Sequence, residues 1–284
     1  MSAAGEGAGP QVRSRVRLGA VGYLNARPLV FGLDAHPRFH VRYDIPSECA
    51  RLLHAHEIDL GLIPSIEYLR GPRPYGIVLG PAVVSHGPVA SVAIYTRRDV
   101  RDIRTIAMDT SSRTSVALAL IVLKRQFKIA PSQIPLVPDL QSMLEQADAA
   151  VIIGDSALML DHTAYGAQKI DLGELWTEAL GLPFVYAFWA GWPRAVTPDD
   201  VSALQQARDA GVARVDDVAR HYYPGDPASQ EIAGRYLRDN IQYFLGEQEQ
   251  EGLRTFYAYA AELGLVPALD GELRFYHACD PGYR

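Results

Sequence analysis

Apolar positions along this chain follow two periods that take turns. Short unbroken or alternating runs read as strands, and longer stretches with apolar residues three and four apart read as helices. Val16 to Leu24 is the first predicted strand, 26–33 a helix, Phe39 to Ile45 a strand, then a helix to about His56, a buried strand at 59–63 and a helix at 66–70. Asn25 is the predicted N-cap of the helix 26–33, with Pro28 in its first turn, where a missing N–H costs nothing. The Gly/Pro-rich passage 71–88 reads as loop around a short strand at 76–79. A β run follows at 91–96. After it come a strand at 105–108, a helix at 114–128, a strand at 134–137, a helix at 140–146, a strand at 149–153 and a helix at 156–160. A second β run, rich in aromatics, occupies 183–189. Beyond Trp192-Pro193 the pattern is helical, at 198–218, 226–240 and 247–263.

Strand and helix alternate in this way only in an α/β protein. The unit between the two β runs has enough apolar positions for a core of its own. A short echo links the halves: Ile58-Asp-Leu-Gly-Leu-Ile-Pro-Ser65 and Ala147-Asp-Ala-Ala-Val-Ile-Ile-Gly-Asp155 both run Asp, apolar strand, then a polar residue opening a helix. The expectation is a two-lobed chain that leaves lobe one, builds lobe two and returns. Lobe one would be 12–97 plus 191–284 and lobe two 98–190, with two crossing strands as hinge and the crevice between the lobes as ligand site.

Composition narrows the classes. A net charge of -6 with basic residues scattered through 284 positions argues against a nucleic-acid surface, so none is expected as partner. Two cysteines, Cys49 and Cys279, have neither metal-ligand spacing nor a disulfide framework, and read as simple thiols. Residues 1–11 lack the basic and apolar regions of a signal peptide and read as a disordered leader. No apolar run approaches the roughly 18 residues of a membrane helix. A cytoplasmic protein with no membrane partner is expected, as a monomer or weak homodimer.

Candidate chemistry concentrates where strands end. Thr105 to Leu123 reads as strand, hydroxyl-rich turn and long apolar helix, with Ser111 and Ser112 as caps. A Ser or Thr cap is often answered three residues later by Glu or Gln; here Thr114 and Ser115 stand in those places, and no carboxylate occupies the helix start. Arg113 adds a donor fork. Ser111, Ser112, Arg113, Thr114 and Ser115 therefore suit an external carboxylate or phosphate, beside the plainer reading of an ordinary cap. Asn25, Ser65 and Gly154-Asp155 also sit at carboxyl ends of strands, where ligands of α/β sheets bind, and Ser91 lies on the first crossing run. Taken singly, Asn25 and Ser65 read as N-caps and Asp155 as a first-turn acid. His54 and His56 diverge on a helix, so no metal site is expected. No phosphate loop, GxSxG or CxxC appears, and no cofactor is implied.

Several strings carry a resemblance: GYLNARPL at 22–29, DLGLIPSIEYL at 59–69, GPVASVAIY at 87–95, SSRTSVALA at 111–119, ADAAVIIGDSAL at 147–158 and DLGELWTEALGLPFVYAFWA at 171–190. Together they resemble the menaquinone-biosynthesis chorismate dehydratase family of the futalosine route, densely over 16–193 and loosely over the helical tail. The resemblance implies the two-lobed fold of type 2 periplasmic solute-binding proteins. It also implies loss of water from chorismate, a dicarboxylate, to give 3-[(1-carboxyvinyl)oxy]benzoate without a cofactor. Asn25 matches the family's Asn after the first strand and is the residue expected on the reacting ring, with the 111–115 helix start holding one carboxylate. The other reading is a solute-binding receptor for a small carboxylate, which would need export; a regulatory effector domain would need a DNA-binding segment.

Overall fold

The computed structural model describes residues 15–276; the leader expected at 1–11 and Cys279 lie outside the described residues. The chain lays down β1 (Val16–Val21), β2 (Phe39–Asp44), β3 (Leu60–Pro64) and β4 (Gly76–Ser85) in one sheet. It then crosses to build β5 (Val92–Thr96), β6 (Thr105–Asp109), β7 (Ser132–Leu136), β8 (Ala149–Ile153) and β9 (Gln168–Asp171) in a second. It returns to the first sheet with β10 (Phe184–Gly191), β11 (Gln242–Leu245) and β12 (Phe275–Tyr276). The seven-stranded sheet runs β11-β4-β10-β3-β1-β2, with β12 on β4, and the five-stranded sheet runs β7-β6-β8-β5-β9.

The two sheets repeat one plan. β1 is flanked by parallel β2 and β3, and β3 pairs antiparallel with β10; β6 is flanked by parallel β7 and β8, and β8 pairs antiparallel with β5. The sequence echo falls on the equivalent strands β3 and β8. Its aspartates also do the same work: Asp59 accepts the Arg17 N–H at 2.8 Å and Asp148 the Arg104 N–H at 2.9 Å, each tying its own strand to the start of the neighbour. The plan moves both expected lobe boundaries. Residues 92–96, assigned to lobe one, pair with β8 and β9, and 184–190, assigned to lobe two, pair with β3 and β4. Each β run belongs to the lobe the chain is entering, because each supplies the antiparallel strand its new sheet lacks. The crossings themselves are 86–91 and 172–183.

Nine helices among the described residues cover the sheets: α1 (Pro46–His54), α2 (Thr114–Arg125), α3 (Leu140–Gln146), α4 (Gly154–Leu158), α5 (Leu172–Leu180), α6 (Pro198–Val212), α7 (Val215–Tyr222), α8 (Pro227–Asp239) and α9 (Glu247–Glu262). Burial on both faces explains why the central strands β5 and β8 are apolar without alternation, whereas β7 and β9 at the edges are polar and more exposed. Val92 and Ile94 join the main core, while Ala93 and Tyr95 join a smaller one with Leu140, Met143 and Ile152. Asp171 caps α5 and also accepts the N–H groups of Val89 at 3.0 Å and Ala90 at 2.7 Å, so one carboxylate ties the two crossings together.

Other expectations need correction. The passage 71–88 holds a ten-residue strand paired with β11 and β10, where a loop around a four-residue strand was expected. Gly80 (φ +106°) and Pro81 fall between Ile77 and Ala82, where the pairing with β10 shifts register, so the residues that read as breakers mark a bulge. The helix 26–33 is a 3-10 turn, Leu24–Val30, with Asn25 inside it and Tyr23 before it; Asn25 therefore caps nothing. Helix 198–218 breaks at Ala213-Arg214 into α6 and α7, and β11 interrupts the expected all-helical tail. No helix among the described residues is long and apolar enough to cross a membrane.

Candidate functional site

The carboxyl ends of β1, β3 and β8 and the start of α2 face one another between the lobes. β1 leads through Tyr23 into the turn carrying Asn25; β3 ends at Pro64; β8 ends at Ile153 and opens into Gly154. With Val83, Tyr186 and Ala187 from the antiparallel pair β4 and β10, Val89 from the first crossing and Val92 from β5, they enclose a cleft of about 560 Å³, mouth included.

Residues 112–115 bring the start of α2 to this cleft. Arg113 precedes the helix, no side chain caps it, and its first turn holds no acid. Ser111, expected as a cap, instead donates to Asp109 Oδ1 at 2.6 Å and accepts the Tyr23 hydroxyl at 3.1 Å. The hydroxyls of Ser112 and Ser115 have no partner among the described residues, and both residues are buried. A twelve-residue helix therefore presents its unpaired first-turn N–H groups beside two free hydroxyls and the exposed Arg113, a setting that favours an anion. Thr114 serves another purpose. Its Oγ1 accepts the Ile66 N–H at 3.2 Å and lies 3.4 Å from Ser65 Oγ, which donates to the Val185 carbonyl at 2.8 Å, so Thr114 and Ser65 join the lobes.

Asn25 is the carboxamide in the cleft wall. Behind it, Tyr236 of α8 is buried, its hydroxyl 2.7 Å from Ser91 Oγ and against the Asn25 side chain. Burial raises the Tyr236 pKa, with the Ser91 and Asn25 bonds pulling the other way. Ser91 itself is fully buried and does not line the cleft.

The wall of the cleft carries no carboxylate and no imidazole among the described residues. Asp155 stands to one side: Oδ1 accepts the Leu24 N–H at 3.1 Å and Oδ2 the Tyr222 hydroxyl at 2.5 Å. Burial raises its carboxyl above the usual range despite Tyr222, the Leu24 amide and Arg27. Asp109 is deeper still. Its Oδ1 accepts both the Ser111 N–H and hydroxyl, its Oδ2 is buried without a partner among the described residues, and burial raises its pKa. No group of three or more His, Cys, Asp or Glu is placed to hold a metal among the described residues.

Of the residues singled out from sequence, Asn25, Ser112, Arg113, Thr114, Ser115 and Gly154 line the cleft. Ser65, Ser91, Ser111 and Asp155 lie behind it. Gly154 is required where it stands: its φ is +65°, and a Cβ there would come within 3.1 Å of the Tyr23 ring. Sequence reading passed over Tyr23, Tyr222 and Tyr236. Tyr23 had a signal, two residues before Asn25 at a strand end; Tyr222 and Tyr236 had none, since helix periodicity does not show which distant turn a tyrosine reaches.

A family model described as menaquinone biosynthesis matches residues 16–262. The chain belongs to the menaquinone biosynthesis family. Among the family's curated relatives, a chorismate dehydratase of Thermus thermophilus is 31% identical over 265 residues, which is 87% of this chain and 95% of that one. Solved structures share the architecture at lower identity. A protein of Archaeoglobus fulgidus superposes with a TM-score of 0.71 at 17% identity, over 90% of this chain and 100% of that one. A Candida albicans protein described as having the generic periplasmic binding protein fold superposes with a TM-score of 0.66 at 12% identity, over 95% and 99%. The family member described here thus has a two-lobed, periplasmic-binding-protein-like α/β fold.

Proposed function

We propose that this chain is a chorismate dehydratase, converting chorismate to 3-[(1-carboxyvinyl)oxy]benzoate and water. The observation that carries the reading is the composition of the cleft. It has an uncapped, carboxylate-free helix start with Arg113 for a carboxylate, apolar walls for a ring, and one carboxamide, Asn25, in the wall. The relative from Thermus thermophilus supports the same reaction.

The reaction removes the proton at C3 and expels hydroxyl from C4, and the product ring becomes aromatic. With no carboxylate or imidazole in the cleft wall, the base is the substrate's own enolpyruvyl carboxylate, which lies beside C3. Asn25 holds the leaving hydroxyl in register by hydrogen bonds, and the first turn of α2 holds the other carboxylate. Orientation and exclusion of water then supply most of the acceleration. The elimination is redox-neutral, so it requires no redox cofactor. The enzyme works in the cytoplasm as a monomer or weak homodimer, which sedimentation checks.

Purified protein mixed with chorismate is expected to form the aromatic enol ether, seen by chromatography and mass. Binding without conversion would instead favour a solute-binding receptor. Asn25→Ala and Asp155→Asn, compared at saturating chorismate, separate the mechanisms: a dead Asp155→Asn with a nearly normal Asn25→Ala would make Asp155 the base.

A further inference from the structure

We propose that Tyr23 is a positioning residue for the substrate anion: its hydroxyl crosses from lobe one to Ser111 of lobe two and holds the turn that opens α2 against the cleft. The inference rests on the reading above that the start of α2 takes a substrate carboxylate. The bond is 3.1 Å long and joins residues 88 positions apart. Lobe two receives the ring as well as the hydroxyl. Gly154, at φ +65°, stands where a Cβ would come within 3.1 Å of the Tyr23 ring, so the socket for Tyr23 is a glycine against its ring and Ser111 at its tip. Tyr23 also lines the cleft, two residues before Asn25.

Donor counting gives the bond its direction. Asp109 Oδ1 accepts the Ser111 N–H at 2.8 Å and the Ser111 hydroxyl at 2.6 Å, and the Asp109 carbonyl accepts the Ser112 N–H at 3.1 Å. A hydroxyl has one hydrogen to give, and Ser111 gives its own to Asp109, so its oxygen accepts from Tyr23. The turn 109–112 is thus stiff within lobe two, and what Tyr23 fixes is where that turn stands relative to Asn25. Ser112 and Arg113, the next residues, line the cleft. Leu24, the neighbour of Tyr23, donates its N–H to Asp155 Oδ1 at 3.1 Å, so residues 23 and 24 reach past the ends of both β6 and β8. These bonds exist only while the lobes are together. A substrate held by Asn25 on one lobe and by α2 on the other favours the same arrangement, so ligand and Tyr23 bond strengthen each other.

The test uses the full-length protein as wild type, Tyr23→Phe, Ser111→Ala and the double variant. Tyr23→Phe keeps the ring in its socket and loses only the bond. It is expected to raise KM for chorismate about 3- to 10-fold with kcat within about threefold, because the bond is present in both the bound and the transition state. Ser111→Ala is expected to raise KM at least as much, and the double variant no further than Ser111→Ala, since both changes break the same bond. An unchanged KM in Tyr23→Phe, even with a lower Tm, marks a packing role alone and overturns the proposal. Losses that multiply in the double variant overturn it too. A readout without substrate separates this inference from the assigned reaction. In protein labelled with 13C at the tyrosine ring carbon that bears the hydroxyl, the signal lost in Tyr23→Phe is expected to shift in Ser111→Ala. A signal that stays in place overturns the proposal. A signal that shifts, in a protein that leaves chorismate unchanged, upholds the Tyr23 bond and removes only the assigned reaction.

Discussion

Tyr222, at the end of α7 in lobe one, donates its hydroxyl to Oδ2 of Asp155 in α4 of lobe two at 2.5 Å. The other carboxylate oxygen accepts the Leu24 N–H from lobe one, so Asp155 is a clasp between the lobes, with neither oxygen turned to the cleft. Asp155→Asn is expected to keep kcat within about threefold. The amide oxygen still receives Leu24, and Tyr222 has a second acceptor in the Gly22 carbonyl at 3.1 Å. Asp155→Ala removes both bonds, each worth about 0.5–3 kcal/mol, and should raise KM at least about tenfold. Small-angle scattering should show a larger radius of gyration for the unliganded Ala variant than for wild type; equal radii would remove the clasp.

The same carboxyl carries a pH signature. Burial raises its folded pKa, so its contribution to stability is present below the unfolded value of about 4 and is lost as pH rises through the folded one. The stability of Asp155→Asn relative to wild type should therefore grow between pH 4 and pH 7, read by urea unfolding. A gap that shrinks over this range would reverse the sign.

Thr114 and Ser115 stand side by side and should fail differently. Thr114→Ala leaves the Ile66 N–H buried without its acceptor, at a cost of about 1–3 kcal/mol, and lowers Tm as well as affinity. Ser115→Ala touches no bond within the protein and should raise KM with stability unchanged to about 0.5 kcal/mol. Wild-type kinetics for Ser115→Ala would take the α2 start out of the binding site.

Gly154→Ala is expected to hurt twice. A positive φ costs a residue with a Cβ about 1–2 kcal/mol, and the added methyl would press on Tyr23, holding the lobes apart. Thermal unfolding and KM measure the two parts separately; an increase in KM is expected even at temperatures where the variant is fully folded.

Asp200 predicts acid sensitivity of the opposite sign. Burial works against its charge, but bonds from Arg38 at 2.8 Å and Thr197 outweigh it and hold the carboxyl below the usual range. Its stabilisation is present above the unfolded value of about 4 and is lost as pH falls through the folded one. Asp200→Asn should cost about 1–3 kcal/mol at pH 7, and the difference should close below pH 4 in urea titrations.

The alternation of strand and helix, the buried helix after Ser112, the polar strand ends and the echo of Asp59 and Asp148 were all legible along the chain. Each depends on residues within a few positions of one another: side-chain period, turn chemistry, and which groups a helix start leaves unpaired. The resemblance strings likewise pointed to the cleft residues Asn25 and 112–115, because those are contiguous. What the tertiary structure alone decided involves partners far apart in sequence. Whether β5 and β10 pair with the sheet behind or ahead depends on which sheet lacks an antiparallel neighbour, and no local pattern records that. Asp155 became a clasp through Tyr222, 67 residues away, and Ser91 a buried anchor through Tyr236, 145 residues away. A hydroxyl or carboxylate at a strand end has the same local signature whether it faces a ligand or a distant side chain, and only packing the lobes together determines which of the two it meets.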